Sequence, residues 1–173
     1  EVNPLTGFPG NGSIKQEIRR RIDSKGPFGV AYLDLDNFKG YNDRYGFDAG
    51  DRMILLVRDI LEAVDRDLKP PEFFYGHIGG DDFVVLGCVE GFPEVLEEIR
   101  SRFDDQVCAL YAEEDRREGG IEVVNRSGEW VFQPIVSISI AALDSRRRPV
   151  ADLRELSEVA AELKKAAKRI PGS

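Results

Sequence analysis

Residues 73–89, FFYGHIGGDDFVVLGCV, set two runs rich in aromatic and β-branched residues on either side of Gly79, Gly80, Asp81 and Asp82. The pattern predicts a β-hairpin closed by a glycine turn. Glycine reaches positive φ at no steric cost, and it lets a large ligand approach the backbone closely. Asp81 and Asp82 stand just beyond it. Two adjacent carboxylates at a rigid tip repel each other, and a hard divalent cation such as magnesium relieves that repulsion. His77, the one histidine, precedes the turn and is expected to be packed or hydrogen-bonded rather than to act as acid or base.

Residues 28–35, FGVAYLDL, are nearly continuous in apolar side chains and predict a strand buried on both faces. It ends in acids. Asp34 and Asp36 are two apart and share one face while the chain stays extended. Burying an unpaired charge costs several kcal/mol, so acids leaving a core strand need a partner. Asp34 is expected to bind metal, whereas Asp36 either joins it or caps the next helix.

Ahead of that strand, NPLTGFPGN (residues 3–11) reads as a structured turn, and Ile14, Ile18 and Ile22 mark one face of a helix over residues 13–23. After it, NFKGYNDRYGFDAGDRM (residues 37–53) predicts a short helix, a turn at Gly46 and the start of a longer helix. Leu56, Val57, Ile60, Leu61, Val64 and Leu68 form the apolar face of the longer helix, which ends before Pro70 and Pro71. Lys39 and Asn42 share a face of the short helix. Asp51 falls in the first turn of the long one, where the helix dipole favours an acid, and by itself reads as a capping residue. Asn42 by itself reads as a turn residue.

The string DLDNFKGYNDRYGFDAGD (residues 34–51) resembles, in order and spacing, the DxDxFKxxND…G…GD pattern of GGDEF domains, the diguanylate cyclases. GGDDF at residues 79–83 resembles their signature, and NPLTGFPGN resembles their DxLTGLxNR lead-in, with Asn3 in place of the usual Asp. The resemblance runs from Asn3 to about Val89. It implies that Asp34, the Leu35 carbonyl, Asp81 and Asp82 hold magnesium or manganese. It further implies that Asn42 and Asp51 bind the guanine edge of GTP. Lys39, the backbone around Asn37 and Phe38, and the turn at Gly79 and Gly80 would lie along the triphosphate, with Asp81, Asp82 and Lys39 serving catalysis. Chemistry agrees at the base, because a carboxylate accepts from the guanine N1 and N2 donors and an amide can donate to its acceptors.

Beyond the hairpin, Val95, Leu96, Ile99 and Phe103 predict a helix over residues 92–110, followed by a polar turn over residues 113–120. Residues 121–124 and 129–132 predict a second hairpin around Arg126, Ser127 and Gly128, longer than a minimal GGDEF domain carries, with Trp130 as its packing anchor. Residues 135–143 predict a core strand, where SISIA replaces the family's usual SIG. Arg146, Arg147 and Arg148 read as a solvated loop. A last helix begins at Asp152, with Glu155 at capping-box spacing and Leu153, Leu156, Val159, Ala160, Leu163 and Ala167 inward. Its basic end resembles the family's AxxALYxAKxxGR tail, which implies that Lys168 reaches the phosphates. Lys165 stands at the tyrosine position and Gly172 at the last arginine.

At 173 residues, with 42% apolar residues, the chain fits a single domain with a full core. The resemblance implies an α+β, ferredoxin-like nucleotidyl-cyclase palm, a mainly antiparallel sheet flanked by helices, with an extra β-hairpin. A net charge of −8 argues against nucleic acid or an anionic membrane surface as partner. No run approaches the ~20 apolar residues of a membrane span. Cys88 and Cys108 lie in apolar segments and are expected to be buried free thiols in a reducing, cytoplasmic compartment. Glu1 is expected to lie inside a longer parent, which could carry regulatory, phosphodiesterase or membrane-anchoring segments. The family's reaction, two GTP to cyclic di-GMP, needs a homodimer in which two sites face each other. Asp82 replaces the usual Glu, and Pro70 to Phe73 stand where an inhibitory RxxD motif would end. An active cyclase and a GTP-binding regulatory domain of a composite protein are therefore both expected readings.

Overall fold

The computed structural model describes residues 1–148 and, beyond them, residues 151, 152, 154, 155, 157, 158, 161, 162 and 165. Its elements are α1 (Asn11–Asp23), β1 (Gly29–Asp36), α2 (Phe38–Tyr45), α3 (Phe47–Leu68), β2 (Phe74–Gly79), β3 (Asp82–Gly87), α4 (Phe92–Val107) and a 3-10 turn (Cys108–Leu110). There follow α5 (Glu113–Glu118), β4 (Gly120–Val124), β5 (Trp130–Pro134) and β6 (Ser137–Asp144). β1, β2, β3 and β6 make one sheet in the order β2-β3-β1-β6, and each of its pairings is antiparallel. The strand order and the βαββαβ succession are those of the expected ferredoxin-like palm.

The near-continuous apolar run of β1 is explained by burial on both faces. Ala31, Leu33 and Leu35 face a large core with residues of α3 and α4, including Met53, Val57, Leu61, Ile99 and Phe103. Val30 faces a smaller core on the opposite side, where Ile14 and Ile18 of α1 meet Val84, Leu86 and Leu143. Burying Ile14 and Ile18 contributes on the order of 2 kcal/mol each. A one-residue slip of β1 would exchange its two faces, so the register is strongly fixed.

Four expectations change. The segment after residue 112 folds into the short helix α5 instead of a polar turn, with Glu113, Glu114 and Asp115 in its first turn, where the dipole favours acids. α3 begins at Phe47, so Asp48 is its first-turn acid and Asp51 lies a turn further in. Cys88 is only half-buried, and Cys108, the first residue of the 3-10 turn, is exposed. Trp130 is 71% exposed and is no packing anchor among the described residues. β4 and β5 form a separate two-stranded sheet, whose inward positions are filled by Ile121 and Val123 while Trp130 pairs with Val124 on the outer face.

This ribbon sits on α2. A Cβ at Gly40 would overlap the Gln133 side chain, so the glycine admits the ribbon to the helix. Asp115 of α5 accepts from Tyr45 and from Arg44 of α2, and Tyr41 donates to the Leu110 carbonyl at 2.6 Å. Tyr41, Tyr45 and Tyr111 pack as a ring cluster beneath it. Arg146 pairs with Asp144 and Glu90 at the surface. At the start of the last helix Asp152 accepts from the Glu155 amide at 2.9 Å, as the capping spacing predicts. The expected inner face of that helix (Leu153, Leu156, Val159, Ala160, Leu163, Ala167) and its tail residues Lys168 and Gly172 lie outside the described residues.

Candidate functional site

β3 lies between β2 and β1, and this order carries the tip of one hairpin to the end of another strand. Gly79 pairs with Asp82, which leaves Gly80 and Asp81 as the two-residue turn. Gly80 adopts φ +52, a conformation that costs a side-chain-bearing residue and suits glycine. A Cβ at Gly80 would meet nothing within 4 Å, so the tip is open. Leu33 pairs with Phe83, and one residue further along β1 comes Asp34.

The result is a cluster in which Asp34, Asp81 and Asp82 each offer a carboxylate oxygen within 4.8 Å of one another, all three half-buried. Three carboxylates so close are mutually repulsive without a cation, and an all-oxygen donor set suits magnesium or manganese. The Leu35 amide donates to Asp81 at 3.3 Å, which ties the turn to β1. Asp36 takes another course from either one expected for it. Its buried carboxylate accepts from Ser137 at 2.8 Å and from Ser139 at 2.6 Å, both on β6, and it caps no helix.

Asn37 occupies the N-terminus of α2 with φ 66, and Phe38 follows it, partly buried against the core. Lys39 is exposed and pairs with Asp43 at 2.8 Å, one turn along the same helix. The structure therefore places Lys39 on the outer surface of α2 and does not join it to the carboxylates. Asn42 is half-buried, and its Oδ1 is the one buried side-chain oxygen or nitrogen without a hydrogen-bond partner among the described residues. Such an atom costs about 1–3 kcal/mol unless something supplies a donor. Gly50 of α3 makes room for it, since a Cβ there would collide with that oxygen. Asp51 is the next residue and is exposed. Asn42 and Asp51 thus stand at one junction between α2 and α3.

His77 is buried, as expected of a packed side chain, and it reaches the turn directly. Its ring lies 3.0 Å from the Thr6 hydroxyl through Nδ1 and 2.8 Å from the Gly80 carbonyl through Nε2, and it stacks on Phe83. Burial pushes its pKa below the ordinary value, against opposing contributions from the Gly80 carbonyl and Asp82. No local pattern gives Thr6 a role, because its partner is 71 residues away. Asn3 keeps the lead-in turn intact, its Oδ1 accepting from the amides of Leu5 and Thr6.

The family model described as "Diguanylate cyclase, GGDEF domain" matches residues 2–117. Among curated proteins, "Diguanylate cyclase DgcP" of Pseudomonas aeruginosa is 33% identical over 107 residues, 58% of this chain and 15% of that protein. "Cyclic di-GMP phosphodiesterase PdeR" of Escherichia coli is 38% identical over 87 residues, 49% of this chain and 13% of that protein. The chain thus spans a small part of the curated relatives it matches. The solved GGDEF domain of DgcB from Caulobacter crescentus, in complex with c-di-GMP, superposes with a TM-score of 0.67 at 20% identity, covering 99% of this chain and 92% of that one. The GGDEF domain of TpbB (YfiN) from Pseudomonas aeruginosa gives a TM-score of 0.67 at 21% identity, covering 100% and 92%. At such identities the likeness is one of fold. No helix among the described residues is long and apolar enough to cross a membrane.

Proposed function

The chain belongs to the diguanylate cyclase GGDEF domain family, and from that premise we propose that it condenses two GTP into cyclic di-GMP with release of two pyrophosphates. The observation that carries the reading is the meeting of Asp34, Asp81 and Asp82 within 4.8 Å. Magnesium or manganese bound there, with the Leu35 carbonyl as a further ligand, would neutralise the triphosphate and lower the pKa of an attacking 3′-hydroxyl. The orphaned Asn42 oxygen and the Asp51 carboxylate take the guanine edge. An Oδ1 without a donor fits an amino group of the base. Asn37, Phe38, Gly79 and Gly80 line the phosphates, and Lys39 leaves Asp43 to join them, with Lys168 of the tail.

One domain holds one GTP, so two copies face each other, and a neighbouring dimerising segment in a longer cytoplasmic parent supplies the proximity. A second reading is favoured by Asp82, one methylene shorter than the family's Glu. In it the domain binds GTP without turnover and regulates an attached domain, for which the similarity to a phosphodiesterase is further support. Mass spectrometry after incubation of a coiled-coil-dimerised sample with GTP and magnesium separates the two. Cyclic di-GMP in the parent and none in Asp34→Asn is the outcome expected of the cyclase. Unchanged but bound GTP would move the regulatory reading to the front.

A further inference from the structure

The chain's one histidine is fixed at both ring nitrogens, and the partners determine its proton. A carbonyl oxygen only accepts, so Nε2 carries the hydrogen and donates to Gly80 at 2.8 Å. Nδ1 is then the acceptor, and it takes the hydrogen of the Thr6 hydroxyl at 3.0 Å. The Thr6 oxygen in turn accepts from the Phe8 amide at 3.3 Å. A directional relay therefore runs from the lead-in turn, through Thr6 and His77, to the hairpin tip. His77 is 2% exposed and its ring stacks on Phe83 at a centroid distance of 4.3 Å, so the imidazole has one orientation.

We propose that His77 is a positioning residue of the carboxylate cluster: by holding the Gly80 carbonyl it orients the Gly80–Asp81 peptide, and with it the Asp81 and Asp82 carboxylates. The proposal rests on the reading of those acids as metal ligands. Two-residue turns built on glycine have broad conformational freedom. Here His77 holds the peptide through its carbonyl, and the Leu35 amide separately holds the Asp81 carboxylate that follows it. A packing role alone would be filled by any flat ring against Phe83. The bond to the tip carbonyl is what a packing role leaves unexplained.

Two amides test this on the full chain. In His77→Gln the side-chain nitrogen reaches about the place of Nε2 and can still donate to Gly80, whereas His77→Asn reaches only the place of Nδ1. Three readouts are compared: hydrogen exchange at the amides of residues 80–83, Mn2+ affinity in the absence of nucleotide, and kcat and KM with GTP. For His77→Asn we expect faster exchange at the tip, Mn2+ affinity and kcat each about tenfold lower, and KM within about twofold, since misplacement acts on the reacting end rather than the base. His77→Gln should recover most of each. Parental exchange and metal affinity in His77→Asn would overturn the proposal, as would equal losses in both variants in step with a lower melting temperature. Should the parent make no cyclic di-GMP, the proposed reaction fails while exchange still decides the role of His77. Should His77→Asn not fold, Thr6→Val reads the same relay, with faster tip exchange expected and unchanged exchange overturning it.

Discussion

Two hairpins of similar length have opposite fates in this fold. The first, β2 with β3, is inserted beside β1, and its second strand is buried from Phe83 to Gly87. The second, β4 with β5, has no sheet neighbour among the described residues and leaves Val124, Trp130 and Phe132 on the surface. Both strands pairs are rich in aromatic and β-branched residues. Neighbours, not composition, decide which is buried. The difference also sorts their chemistry: the inserted hairpin holds carboxylates at a tip hydrogen-bonded to β1 and to His77, while the detached one presents exposed apolar side chains.

If the inserted hairpin is the reacting one, Asp34→Asn should give the largest effect. We expect a loss of product formation of about two to three orders of magnitude with the fold intact, checked by nucleotide chromatography and circular dichroism. Asp82→Glu restores the family's longer side chain, and turnover should rise about tenfold if Asp82 limits the geometry; a fall would mean that this site has adapted to aspartate. Gly50→Ala pushes a methyl against the Asn42 oxygen, so the KM for GTP should rise about fivefold with a smaller change in kcat.

A milder test lies in acid. The folded-state pKa of His77 is below its unfolded value of 6.5, with burial as the main cause. The unfolded chain therefore takes the proton first. Stability from this site is full above pH 6.5 and declines as the pH falls from there through the folded pKa. His77→Gln should remove that component of the melting temperature's pH dependence, leaving the carboxylate background. Trp130→Ala and Phe132→Ala should have the smallest effect, within about 0.5 kcal/mol by denaturant titration, because little is buried at either position. A larger loss would show that the ribbon's outer face is covered.

Local pattern made most of the palm legible. Strand β1 follows from its continuous apolar run, the first hairpin from its glycine turn and the helical faces of α1, α3 and α4 from periodicity, and the expected meeting of Asp34 with Asp81 and Asp82 is a consequence of strand pairing. What escaped was decided by partners distant in sequence. Trp130 looks like an anchor until the ribbon is seen to have only one packed face. Asp36 looks like a cap until Ser137 and Ser139 are brought beside it by β6. Glu113–Glu118 reads as a polar turn because its helical docking depends on Asp115 reaching Tyr45 and Arg44. Lys39 owes its expected role to the family resemblance, and in the fold it pairs with Asp43 at the surface.

The exposed indole of the ribbon gives the protein a built-in optical reporter. Trp130 is the chain's single tryptophan, and it makes no ring contact among the described residues. Its emission is therefore expected to be that of a hydrated indole, long in wavelength and open to collisional quenching by acrylamide. A partner that buries the indole in an apolar contact on the ribbon's outer face is expected to shift that emission to the blue and shield it from the quencher. Occupancy of this surface can thus be followed by a signal that originates in one residue of known position.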